Sequence, residues 1–149
     1  MLTDRQKTLV QQSFARIAGL ADDVAELFYD RLFELDPSLR RMFPADLREQ
    51  RKKLMQVLTV AVKGLDRLEQ LVPVVEDLGR RHSKYGVQDR HYDTVAQALL
   101  WTLRVSLGWQ FTAEVEGAWT AVYGVLASTM KHAAAAARER EEPVLAEIC

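Results

Sequence analysis

LEQLVPVVEDLGRRHSKYG, residues 68–86, carries Leu68, Leu71, Val75, Leu78 and His82 at successive steps of 3, 4, 3 and 4. That spacing places all five side chains on one face of an α-helix, where a turn takes 3.6 residues. The run Ser83-Lys84-Tyr85-Gly86 follows at once and supplies the glycine with which helices commonly end. The imidazole of His82 therefore falls where a core belongs. Two readings of it stand side by side: a buried histidine satisfied by hydrogen bonds, or a nitrogen held ready for a metal.

The same helical period runs through the rest of the chain. Thr3 and Gln6 have the spacing of a capping box for a first helix with Val10, Phe14 and Ile17 on its core side and Gly19 at its end. A second helix opens on Asp22 and Asp23, buries Val24, Leu27, Phe28, Leu32 and Leu35, and stops at Asp36-Pro37. A short helical turn reaches Phe43-Pro44. From about residue 46 to 65 the set Leu54, Val57, Leu58, Ala61 and Leu65 predicts a third helical face, and Pro73 is compatible with the His82 helix only near its first turn. Two long helices follow, one with Tyr92, Val95, Leu99 and Leu103, the other with Val115, Trp119, Val122, Tyr123, Leu126 and Met130, with Gly108 and the cap region Phe111-Thr112 between them. The Ala133 to Ala137 run extends the last helix towards the charged residues 138–142 and Pro143. No stretch alternates with the period of a strand and no repeat is found, so the fold class is all-α, a bundle or a packing of the globin type.

The chain has 149 residues, enough for one core and one enclosed cofactor, with 20 lysines and arginines against 21 aspartates and glutamates. That balance gives no electrostatic case for nucleic acid or an anionic membrane. The single cysteine, Cys149, excludes a disulfide within the chain and fits a reducing compartment. With no apolar window of about 18 residues and a polar start at Thr3-Asp4-Arg5-Gln6, the expectation is a cytoplasmic protein without a cleaved signal. Residues 1–138 are expected to form one domain and 139–149 a charged, mobile tail.

Three segments together carry a resemblance. LFYDRLFELDPSLRRMFP (27–44), EQRKKLMQVL (49–58) and VVEDLGRRHSKYGV (74–87) resemble, in order and spacing, the haem-pocket segments of bacterial globins, most closely the globin domain of flavohaemoglobins and single-domain globins of the Hell's Gate type. The likeness runs from about Leu2 to Met130. It implies the globin fold, haem b (iron protoporphyrin IX) as cofactor and His82 as the proximal iron ligand. The second ring nitrogen then needs an acceptor, for which the carbonyl of Leu78 is well placed. The resemblance further implies Tyr29 and Gln50 at the distal positions, Phe43 against the haem face, and Leu54 and Val57 as an apolar wall. Leu78, Tyr92 and Val95 complete the expected haem contacts. Arg80, Arg81, Lys84, Arg51, Lys52 and Lys53 flank the expected pocket; Lys53, Arg81 and Lys84 are the candidates to pair with haem propionates, while a solvated charged face explains most of the cluster.

His91 and His132 have polar neighbours and are expected at the surface; Trp101, Trp119 and Tyr123 are expected in the core. The chain departs from flavohaemoglobins in one respect. Their proximal tyrosine matches Tyr92, but the glutamate that pairs with it falls on Ala134. A flavin and nicotinamide reductase module has no counterpart either, since the chain contains no G-x-G. The resemblance thus implies an oxygen-binding or oxygen-transport protein, monomeric or weakly self-associating, that takes dioxygen and other diatomic gases (NO, CO). A second reading is a nitric oxide dioxygenase served by a separate reductase, and a third is a gas sensor.

Overall fold

A computed structural model describes residues 2–148, with side chains described for residues 2–139. Six α-helices account for most of it: α1 (Asp4–Ile17), α2 (Ala21–Leu35), α3 (Arg48–Lys63), α4 (Leu68–Lys84), α5 (Asp89–Leu107) and α6 (Ala113–Ile148). Short 3₁₀ turns at Ala18–Leu20, Pro37–Met42, Gly64–Arg67 and Gly108–Gln110 join them, and no strand occurs among the described residues. Among the described residues no helix is long and apolar enough to cross a membrane. The expected tail lies, from residue 140 onward, outside the residues described with side chains, as does Cys149.

Local chemistry sets the helix ends. Thr3 Oγ1 accepts from the Gln6 N–H at 3.0 Å while the Thr3 N–H donates to Gln6 Oε1 at 2.9 Å, so two amides that α1 leaves without partners are satisfied together. Asp36 takes an extended backbone after α2 and accepts from the Ser38 N–H, which starts the turn leading to Phe43. α4 ends in a Schellman motif: the Gly86 N–H donates to the Ser83 carbonyl and the Val87 N–H to the His82 carbonyl, both at 3.1 Å. This closure requires the left-handed backbone of Gly86, at φ +90°.

The main core is drawn from α1, α2, α3, α5, α6 and the turns between them, with Val10, Leu32, Leu65 and Leu103 almost fully enclosed. α2 packs on α5 and α3, and α1 packs on α6. The indole N–H of Trp119 donates to Ser13 Oγ at 2.9 Å and so pins α6 to α1 inside that core. α4 is different. It packs along α6 and touches the preceding 3₁₀ turn, but makes no extended contact with α2, α3 or α5. Leu71 and Val75 are buried outside the main core, and Leu78 and His82 are half-buried. Its attachment to the rest of the fold is therefore mainly through α6.

Three expectations need correction. Pro73 is not in the first turn of α4 but the sixth residue of the helix. It is tolerated because Pro73 and Glu69, whose carbonyl loses its donor, are both exposed, while Leu71 and Val75 hold the helix on its other side. Val57 is 40% exposed and does not join the core; the buried residues of α3 are Met55, Ala61 and Val62. His91 is buried, not at the surface: its Nδ1 accepts the Gln88 N–H at 2.9 Å, making the imidazole part of the α5 cap.

Candidate functional site

The helical stripe that ends at His82 gives the imidazole a defined state. Its Nδ1–H donates to the carbonyl of Leu78, one turn earlier, at 2.7 Å. That bond fixes the tautomer and leaves Nε2 as the nitrogen with a lone pair; no described residue hydrogen-bonds to it. Burial, reinforced by the Arg81 guanidinium, holds the ring's pKa below its ordinary value, which favours the neutral form.

On α2, Tyr29 is buried at 3% exposure within an aromatic group. Phe28 meets it edge-on at 5.1 Å between centroids, Phe43 edge-on at 5.5 Å, and Phe33 stacks at 6.0 Å. Phe43 also packs on Phe33, over whose ring the Arg40 guanidinium sits at 5.3 Å. The turn after Pro37 thus delivers Phe43 onto Tyr29 and clamps the phenol. Gln50, in the first turn of α3, donates its Nε2–H to the Tyr29 oxygen at 3.2 Å. The phenol's own proton has no acceptor among the described residues. Burial raises the Tyr29 pKa, so the phenol keeps that proton at neutral pH.

Leu54 lies one turn beyond Gln50 and lines a small apolar void of about 10 Å³ with Phe14, Val24, Phe28 and Leu103. Val95 is half-buried against the core. Tyr92 is buried on α5, where its carbonyl accepts the Tyr123 O–H at 2.7 Å and the Lys131 ammonium lies over its ring at 5.4 Å. Ala134 is buried as well and brings no carboxylate. Of the basic residues, Arg51 donates to Asp22 at 2.9 Å, Lys52 pairs with Glu49 at 3.5 Å, and Arg81 pairs with Asp77 at 3.1 Å. Lys53 and Lys84 are exposed, with no ion pair among the described residues. Arg51 therefore fastens α3 to α2 beside Gln50, a structural task that sequence reading had not given it.

The family model for globins matches residues 26–130, which spans the aromatic clamp, Gln50, His82 and most of the packing around them. The chain belongs to the globin family. This globin is 30% identical over 143 residues to neuroglobin of Tetraodon nigroviridis, covering 87% of this chain and 90% of that protein. It is 28% identical to the flavohemoprotein of Bacillus subtilis and 30% identical to that of Vibrio cholerae, in each case over 130 residues. Those alignments cover 85% of this chain and 33% of the flavohemoproteins, so the globin corresponds to about a third of their length.

Globin membership implies haem binding, and the side chains fit the group. A neutral imidazole with Nδ1 committed and Nε2 unpartnered is the donor state that haem iron takes. It stands on α4, which among the described residues makes no extended contact with α2, α3 or α5. Several parts of this arrangement were missed in the sequence. Phe33 stands four residues after Tyr29, a helical neighbour spacing that was available as a signal; the Arg51–Asp22 pair, with its partners far apart in the chain, had none.

Proposed function

We propose that this globin holds haem b with His82 as the iron ligand and binds dioxygen reversibly, with Tyr29 and Gln50 as the polar groups that meet the gas. Bound haem supplies the iron at which a diatomic gas is taken up. His82 offers Nε2 because the Leu78 carbonyl already engages Nδ1. Tyr29 offers a phenol proton that nothing else uses, while Gln50 satisfies the phenol oxygen from the other side and keeps the ring from turning. A donor held rigidly by Phe28, Phe33 and Phe43 needs little reorganisation when negative charge gathers on a ligand. Phe43, Leu54, Val57, Leu78 and Val95 provide apolar contact and keep water away, Val57 gaining cover in the process. Tyr92 contributes its buried ring on α5, beside Lys131 of α6. Lys53 and Lys84, exposed and without an ion pair among the described residues, would neutralise the propionates, and Arg81 would do so by leaving Asp77.

The observation that carries this reading is the pair of unspent valences, Nε2 of His82 and the O–H of Tyr29, each left over after its partner atom is satisfied. Likeness to flavohemoproteins supports a second reading, nitric oxide dioxygenation with electrons from a separate reductase. Buried Ala134, where that reading calls for a carboxylate, weighs against it.

Oxygen equilibrium and stopped-flow dissociation on the haem-loaded protein test the proposal. Reversible binding with slow release is expected, together with nitric oxide consumption that stays low when a reductase is added. Failure of the ferrous protein to bind dioxygen reversibly would overturn it. Fast, reductase-dependent nitric oxide turnover would establish the second reading.

A further inference from the structure

Gly79 lies three residues before His82, where α4 lies directly on the α6 backbone. A Cβ added at Gly79 would stand 2.4 Å from the Met130 carbonyl oxygen, 2.6 Å from its Cα and 2.8 Å from its carbonyl carbon. All three atoms are backbone, so no side-chain rotation relieves the contact. Ordinary van der Waals approach begins at 3.4 Å, and any larger residue must push α4 about 1 Å off α6. Gly64, by contrast, faces only the flexible side chain of Leu71, and Gly117 and Gly124 on α6 meet nothing within 4 Å.

A second connection makes this contact more than packing. The peptide unit joining Leu78 to Gly79 carries the carbonyl that accepts the His82 Nδ1–H at 2.7 Å. The Gly79 Cα is the next atom along the chain from that peptide nitrogen. A displacement at Gly79 therefore moves both the helix that bears His82 and the acceptor that orients its ring. α4 has no extended contact with α2, α3 or α5 to hold it in place otherwise.

We propose that Gly79 is a positioning residue: its close approach to the Met130 backbone sets the depth of α4 against α6, and through the Leu78 carbonyl the position and orientation of the His82 imidazole. The inference rests on the reading of His82 as the iron ligand. Misplacement by about 1 Å at a reacting centre has effects on the order of 100-fold. Gly79→Ala is therefore expected to raise the rate of haem loss to apomyoglobin between about 10- and 100-fold and to shift the iron–histidine stretching band in the resonance Raman spectrum of the ferrous protein. Gly124→Ala, a change of the same kind in open space, leaves both unchanged.

The deciding comparison uses a His82→Gly background supplied with free imidazole, in which the base is no longer attached to α4. There Gly79→Ala is expected to leave the iron–imidazole band where it is. A shift of equal size in both backgrounds, no shift in either, or an alanine variant that fails to fold in both overturns the positioning role. The reading beneath it fails separately: His82→Gly without imidazole would then keep the wild-type spectrum.

Discussion

At the scale of single residues, the proposed selectivity resides in one phenol proton. A hydrogen bond to a charged acceptor contributes about 1.5–3 kcal/mol, roughly one to two powers of ten in an equilibrium constant. Tyr29→Phe is expected to speed dioxygen dissociation roughly 10- to 100-fold and to change carbon monoxide dissociation much less, because that gas gathers less charge. Adding Gln50→Leu should exceed either single change; stopped-flow rates for both gases check this, and equal effects on the two would assign Tyr29 to packing alone. His82 gives a prediction in pH. Its pKa is lowered by burial and by Arg81, so just below the ordinary value of 6.5 the unfolded chain binds more protons than the folded one. The stability this group contributes is complete above about 6.5 and falls away as the pH drops towards the folded-state value. Urea unfolding of the haem-free protein between about pH 7.5 and 5.5 should show that slope, reduced in His82→Phe; coincident slopes would contradict it. The place of His82 on the apolar stripe of α4 was legible because that spacing is local, whereas the distal places of Tyr29 and Gln50 came only from the resemblance, since the two lie on different helices. The burial of His91 was not legible, since its polar neighbours gave no hint that the ring would cap its own helix.

At the scale of elements, the ends of the helices were easier to read than their buried faces. The Thr3 and Gln6 box, the stop at Asp36-Pro37 and the glycine after α4 are local chemistry, and local chemistry is written in adjacent residues. The buried face of α3 was harder: Val57 has the helical spacing of a core residue, yet Met55 and Val62 face the core instead, because the orientation of the helix is set by what α1 and α2 offer it. Gly79 was read past for the same reason, as its meaning lies in Met130, far along the chain. The close of α4 offers a clean test. Gly86→Ala places a Cβ on a left-handed backbone at φ +90° and is expected to cost about 1–2 kcal/mol, measured as a lowered urea midpoint with an unchanged slope. A neutral result would mean that the Schellman closure is not needed to end the helix.

At the scale of the molecule, two different attachments hold the fold. The main core is tied by the Trp119 to Ser13 bond, and α4, among the described residues, is held mainly by α6. Ser13→Ala leaves a buried indole N–H without a partner and should cost about 1–3 kcal/mol of global stability, read from chemical denaturation, with the gas-binding rates unchanged. Altered dissociation rates would instead couple the core to the pocket. The all-α class was open to reading because helical period and short connections leave few other packings, and the globin fold followed from the resemblance of the three segments. The sparse packing of α4 on α2, α3 and α5 was not, since no local pattern records how two distant helices meet. The function proposed rests on the unpartnered Nε2 of His82, on α4, and the unused O–H of Tyr29, on α2. The most direct test is the absorption spectrum of the purified ferrous protein under carbon monoxide, wild type beside His82→Ala. One haem per chain with a sharp Soret band in the wild type, and loss of the band or of stable haem in the variant, is the predicted result; a wild-type protein with no Soret band, or a variant with the same spectrum and retention, would contradict it.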